Sequence, residues 1–170
     1  SIGLIVVNLY PFGQTIEQEN VTLDEAIEQI DIGGPTLIRA AAKNFNYATV
    51  LVDPKDYGNV LSELRKNDNQ VSAETRALLA KKAFNHTASY DATISNYLCQ
   101  HDAEEETLPA TFNISLERVD SLRYGENPHQ KAAVYQLSQA PASGLVGAKQ
   151  YQGKHLSFNN YSDLESAWNL

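Results

Sequence analysis

The sequence contains no methionine, one cysteine and one tryptophan, and it sets only 13 basic side chains against 21 acidic ones. Each shortage closes off a class of function. A single thiol, Cys99, allows no disulfide within the chain and no cysteine-based zinc site. A formal charge of -8 argues against a general nucleic-acid or anionic-membrane surface, because covering phosphates takes net positive charge. A phosphorylated small molecule stays open, since one or two placed Arg or Lys residues are enough for it. No apolar run approaches the ~20 residues that span a bilayer. Ser1-Ile2-Gly3-Leu4 has no basic start of the signal-peptide kind. A soluble, reducing, cytoplasmic setting fits these features, with no nucleic acid and no membrane as partner. Without a methionine the chain does not open on an initiator. Both ends run into strand-like or helix-like apolar patterns, so an internal piece of a longer protein is expected.

What is present is enough to build a core, with 42% hydrophobic residues. Ile2 to Val7 is a continuous apolar run, the mark of a parallel strand buried on both faces. Thr22 to Ile30 reads as a helix with Leu23, Ala26, Ile27 and Ile30 on one face, and Thr22 and Glu25 stand at capping-box spacing. Pro35 is placed to open a helix through about Lys43. Ala48 to Val52 reads as a second buried strand. Asp53-Pro54 then opens a helix with Tyr57, Val60, Leu61 and Leu64 inward, and Ser72 to about Leu98 reads as a long one with Ala80, Phe84, Ala88 and Ile94 to Leu98 inward. Strands alternating with helices give a parallel α/β sheet. The acidic stretch Gln100 to Thr107, with Asp102, Glu104, Glu105 and Glu106, reads as a solvated connector. Beyond it the segments are shorter: strands at Ala132 to Leu137 and Leu145 to Tyr151, a turn at Gly153, and a helix from about Tyr161. The expected division is 1–115 and 116–170.

Four places carry polar chemistry. Asn8 and Tyr10 follow the first strand, where open parallel sheets place ligands, although a turn cap and an edge cover are slightly favoured for them by the local sequence. Asp31, Gly33, Gly34 and Lys43 flank a helix. The paired glycines allow either an anion at the helix N-terminus or a plain helix-helix turn. Lys43 is either a solvated C-terminal cap or a buried proton carrier. Arg123-Tyr124-Gly125-Glu126-Asn127-Pro128-His129-Gln130 fits neither a helical nor a strand period. It is a shaped turn that can hold a guanidinium toward a phosphate and a phenol toward a planar ring. Gly153-Lys154-His155 and Asn159 to Asp163 form a polar stretch that can face this turn, with Asn160 or Ser162 also available to cap the last helix. His86 reads as a packed, hydrogen-bonded histidine and His101 as a solvated one. Metal-ligand spacing, a Ser/His/Asp triad and a dinucleotide fingerprint are all absent from the sequence, and no metal is expected.

Taken in order, several motifs say more than each does singly. They are Asn8-Leu9-Tyr10-Pro11-Phe12, Ile30 to Thr36, Arg39 to Asn44, Ala83-Phe84-Asn85-His86-Thr87-Ala88-Ser89-Tyr90-Asp91, Leu122 to Gln130, and Gln152 to Asn160. The series resembles the bifunctional purine-biosynthesis family of AICAR formyltransferase/IMP cyclohydrolases, over nearly the whole chain. The resemblance implies the later part of a methylglyoxal-synthase-like cyclohydrolase domain, followed by the start of a cytidine-deaminase-like transformylase domain. It implies Lys43 as the cyclohydrolase acid/base with Tyr10 and Asp31 beside it, and Val7, Asn8, Asp31 and Ile32 as nucleotide contacts. It further implies that Arg123 and Tyr124 bind AICAR across a homodimer interface in the partner subunit's site, with Gly153 lining a ligand. The cosubstrate would be 10-formyltetrahydrofolate, and the other ligands AICAR, formyl-AICAR and IMP. The family's catalytic lysine-histidine pair lies beyond Leu170, so Lys154-His155 is not that pair. Its phosphate-binding segments precede Ser1, and little of either activity is expected from these 170 residues alone. A methylglyoxal-synthase-like regulatory module that binds nucleotide without turnover is the alternative, and a structural piece with no ligand is a third. The regulatory reading leaves the Arg123 turn unexplained.

Overall fold

The computed structural model describes residues 2–101, 109–138 and 144–170. The acidic side chains Asp102, Glu104, Glu105 and Glu106 lie outside the described residues. The chain separates into two compact units, Ser1–Asn113 and Ile114–Leu170, each a small α/β assembly.

The first unit is built on two parallel strands, β1 (Leu4–Val6) and β2 (Thr49–Leu51), paired Leu4 with Thr49, Ile5 with Val50 and Val6 with Leu51. Between them run α1 (Phe12–Ile16), α2 (Leu23–Glu28) and α3 (Gly33–Lys43). After β2 come a 3-10 turn (Pro54–Asp56), α4 (Tyr57–Lys66) and the long α5 (Ala73–Gln100). Side chains alternate across a strand. Val50 and Val52 therefore pack on one face with Ile38, Ala41, Ala42, Ala80 and Ala83 of α3 and α5, while Leu51 meets Val60, Val71 and Leu79 on the other. The four alanines let the two helices approach each other and the sheet closely. Burying Ile38 and Val50 contributes about 1.5–3 kcal/mol each. A third cluster joins Phe12, Ala26, Tyr90 and Tyr97. There Phe12 meets both tyrosines edge to face, at 6.4 and 5.6 Å.

The local signals behave as their chemistry dictates. Thr22 and Glu25 form the full capping box of α2, and Ser72 caps α5 through Thr75 N–H. Several expectations need correction. β1 is not buried on both faces: Ile5 faces the core, but Leu4 and Val6 are close to half exposed, because α4 reaches Leu51 and leaves the β1 side uncovered. Leu23 and Ile27 are exposed, so only Ala26 of the α2 face is fully buried. Leu61 on α4 is likewise exposed. On α5 the buried stripe is Leu79, Ala80, Ala83, Thr87, Tyr90 and Tyr97, and Phe84, Ala88 and Leu98 face outward. Helix α3 starts two residues before Pro35, whose missing N–H falls in the first turn, where no helical partner exists anyway.

The second unit pairs β3 (Leu116–Ser121) antiparallel with β4 (Ala133–Leu137), with an irregularity between Arg118 and Asp120. The expected strand over Leu145 to Tyr151 does not form. Gly144–Gly147 is a 3-10 turn instead, entered through Gly144 at φ 56°. The last helix, α6 (Phe158–Trp168), begins earlier than expected. Its cap is Ser157, with Asn160 returning the capping-box bond, so Ser162 does not cap it.

One contact seats the entry to α3. Gly34 N–H donates to Asp31 Oδ1 at 2.7 Å, and a Cβ on Gly34 would stand 2.6 Å from both Asp31 Oδ2 and Leu9 Cδ2. The carboxylate cannot yield without surrendering its own bond to the helix. Gly34→Ala should therefore lower stability by about 1–3 kcal/mol, as overpacking does, read as a lower urea midpoint. A higher midpoint, which helix propensity alone would give, would show that the carboxylate is free to move.

Candidate functional site

The carboxyl ends of β1 and β2 lead into Asn8, Tyr10 and Asp53. After β1, Val7 N–H continues the ladder to Leu51 O at 3.0 Å, and its side chain packs on the core. The exposed Asn8 carboxamide pairs with the Tyr57 hydroxyl at 3.3–3.4 Å. Tyr10 N–H donates to Asp31 Oδ2 at 3.4 Å, so the carboxylate ties the turn after β1 to the start of α3. Asp31 N–H donates in turn to Tyr90 Oη at 2.8 Å, and that hydroxyl donates to Gln29 O. Burial pushes the Tyr90 phenol up, which keeps it a donor. The Tyr10 ring is left largely exposed, and Ile32 is 76% exposed. Asn8, Tyr10, Asp31 and Ile32 thus sit at one edge. The paired glycines do not form an open anion cradle, because Asp31 already takes the Gly34 N–H.

Lys43 stands apart from this edge. It is exposed in the last turn of α3, and the helix rise sets it about 15 Å from Gly33. That end of α3 lies toward the start of the strands, where Thr49 N–H reaches Gly3 O at 2.8 Å. Within this chain the structure brings Tyr10 and Asp31 together and leaves Lys43 at the opposite end of the helix.

Sequence reading missed the charged cluster beside Asn8. Lys82 Nζ stands 2.7 Å from Asp53 Oδ2 and 2.7 Å from Asp56 Oδ2. Hydrogen bonding from Lys82 holds the Asp53 carboxyl below its usual range. Burial works against the Lys82 charge, yet the two aspartates outweigh it and raise the ammonium above its ordinary value. The partners are 26 and 29 residues apart in sequence, a distance at which no local pattern can pair them.

In the second unit the Arg123 turn is a built object. Gly125 N–H donates to Gln130 O at 2.9 Å, Asn127 N–H to Gln130 Oε1 at 2.8 Å, and Gln130 N–H back to Asn127 O at 3.0 Å. A Cβ on Gly125 would come within 2.9 Å of Gln130 Cβ, so the glycine is required for closure. Leu156 and the first residues of α6 brace the turn from outside: Arg123 N–H reaches Leu156 O, Phe158 N–H reaches Tyr124 O, and Asn159 Nδ2 reaches Glu126 O. With the backbone satisfied, the Arg123 guanidinium lies exposed over the Tyr124 ring, 4.9 Å from its centre. Gly153 holds φ 97°, a conformation that favours glycine. His155 Nε2 contacts Ser121 O and lies 3.5 Å from Asp120 Oδ1.

Among the described residues no group of three or more His, Cys, Asp or Glu could hold a metal ion, and no helix is long and apolar enough to cross a membrane. His86 lies one turn beyond Lys82 on α5. Its Nε2 is buried with no hydrogen-bond partner among the described residues, which corrects the expectation of a bonded histidine. Burial lowers its pKa below the ordinary 6.5, with Asp53 opposing the shift and Lys82 reinforcing it. The unfolded chain therefore takes up this proton first. The stabilising contribution is complete above pH about 6.5 and fades as pH falls through that value toward the folded pKa. In urea unfolding, His86→Gln should lose less stability between pH 7.5 and 5.5 than the parent; an equal loss would assign the slope to other groups.

Comparison with known proteins bears on both units. The solved structure described as the crystal structure of ForH is similar to this chain at 34% sequence identity, with a TM-score of 0.53, over 59% of this chain and 52% of its own. The chain thus spans about half the length of that relative. A family model described as the AICARFT/IMPCHase bienzyme matches residues 41–170, from the end of α3 through both the Arg123 turn and α6. A match over well more than half of the sequence, running through both compact units, places the chain in the AICARFT/IMPCHase bienzyme family.

Proposed function

We propose that this chain is part of a cytoplasmic, homodimeric bifunctional enzyme of purine biosynthesis. That enzyme transfers a formyl group from 10-formyltetrahydrofolate to the amino group of AICAR, then closes formyl-AICAR to IMP with loss of water. The observation that carries the reading is the family match across both units. In this reading residues 1–115 belong to a methylglyoxal-synthase-like cyclohydrolase domain and 116–170 open a cytidine-deaminase-like transformylase domain.

Ring closure needs little beyond placement and proton traffic. The carboxamide nitrogen attacks the formyl carbon of the same molecule. The formyl oxygen then leaves as water, with one proton from that nitrogen and one from the formamide nitrogen. Tethering supplies the encounter, so the protein has to fold the two groups together and move protons. Both Asp31 oxygens accept backbone N–H groups, which suits a residue that fixes the edge better than one that carries protons. Lys43 is the proposed acid/base, with Tyr10 covering the substrate and Val7, Asn8 and Ile32 contacting the nucleotide. The geometry of α3 means that Lys43 would act without Asp31 beside it.

For formyl transfer, the exposed guanidinium of Arg123, which also donates from Nη2 to the Tyr124 hydroxyl at 3.2 Å, offers its remaining N–H donors to the AICAR phosphate in the partner subunit's site. Tyr124 holds that guanidinium in place, and Gly153 keeps the neighbouring turn open for ligand. On the full-length protein, Lys43→Ala should slow cyclisation on the order of 10²–10⁴-fold, the span of a positioned acid/base; an unchanged rate would remove Lys43 from the chemistry. Arg123→Ala should weaken AICAR binding about 10–100-fold, as loss of a charge-assisted bond does, while cyclisation stays near the parent rate. Calorimetry with AICAR would contradict the clamp if affinity held.

A further inference from the structure

The carboxyl edge of the first unit has one more connected arrangement. Asp53 follows β2 after the buried Val52, and its Oδ1 accepts Lys55 N–H at 2.9 Å. Lys82, on α5, grips Asp53 and Asp56 together, so both ends of the Pro54–Asp56 turn are fixed from one side chain. The next residue is Tyr57, the first of α4. Its hydroxyl is delivered to the Asn8 carboxamide across 49 residues of sequence. A hydrogen bond between solvent-facing groups adds little to the fold. What it does is orient: the hydroxyl accepts from Asn8 Nδ2 at 3.3 Å and lies within donating reach of Oδ1 at 3.4 Å, so one amide N–H is left as an outward donor.

We propose that Tyr57 is a further nucleotide-recognition residue, setting the Asn8 carboxamide toward a carbonyl or hydroxyl oxygen of the bound nucleotide, and that Lys82 is the positioning residue that places Tyr57. This rests on the reading above that seats a nucleotide at Asn8. The charge balance says which end of the ligand comes here. Lys82 and the neighbouring Lys55 offset the carboxylates of Asp53 and Asp56, and Asp31 adds a further negative charge at the same edge. The phosphate is repelled from this edge, and the uncharged base or ribose end faces Asn8 and Tyr57.

The experiment uses full-length protein, with IMP titrated by calorimetry and cyclisation followed kinetically. Tyr57→Phe removes only the hydroxyl. It should weaken IMP about 3–10-fold, the worth of one neutral hydrogen bond, and raise KM for formyl-AICAR more than it lowers kcat. Lys82→Met should reproduce the KM change, and Lys82→Arg, which keeps a cation for both aspartates, should restore most of it. Unchanged IMP affinity and KM in Tyr57→Phe, while Asn8→Ala still weakens IMP, would overturn the inference and leave the nucleotide site standing. Unchanged IMP binding in Asn8→Ala would overturn both. A Lys82→Met variant that loses urea stability without moving KM would overturn the positioning role.

Discussion

The Asp31 carboxylate is the constraint on which the first unit turns. One oxygen takes the Gly34 N–H that opens α3, and the other takes the Tyr10 N–H just beyond β1. Its own backbone N–H rests on Tyr90, near the middle of α5. Three elements distant in sequence are thereby fixed at the carboxyl edge of the sheet. The absence of a side chain on Gly34 permits it, since any Cβ would meet the carboxylate and Leu9 at once. The helix N-terminus is then satisfied from within, and the edge is shaped for a polar, uncharged ligand part more than for an anion.

The second unit solves a related problem by a different route. A turn rich in polar side chains cannot rely on a core to hold it, so its backbone must be closed by its own bonds. Gln130 closes the Arg123 turn from both its backbone and its side chain, and the fully buried Ser157 caps α6 while the adjoining Leu156 and Phe158 bond to Arg123 and Tyr124. The guanidinium and phenol are presented on a fixed frame. Preorganisation of that kind lowers the ordering cost of binding.

What could be read from the sequence follows the range of the forces involved. Thr22 with Glu25, Ser72 with Thr75, and Gly125 with Gln130 are separated by a few residues, so their bonds follow from local chemistry. β2 was legible because its run is buried whichever way it pairs. β1 carried the same signal and misled, since Leu4 and Val6 lack a covering layer within this chain. Leu145 to Tyr151 reads as a short strand, yet Gly144 and Gly147 bound a 3-10 turn. At the site, Asn8, Tyr10 and Asp31 stood out by position after a strand and before a helix. Tyr57 and Lys82 did not: their partners lie 49, 26 and 29 residues away. Nor could sequence show that α3 runs unbroken between Asp31 and Lys43 and holds them apart.

The central claim is that a purine nucleotide binds at the edge formed by Asn8, Tyr10 and Asp31. The direct measurement is an amide spectrum of full-length protein labelled with ¹⁵N at tyrosine, recorded as IMP is added. The account predicts saturable shifts of the Tyr10 and Tyr57 amides. A Tyr10 amide unmoved at saturating IMP would contradict it.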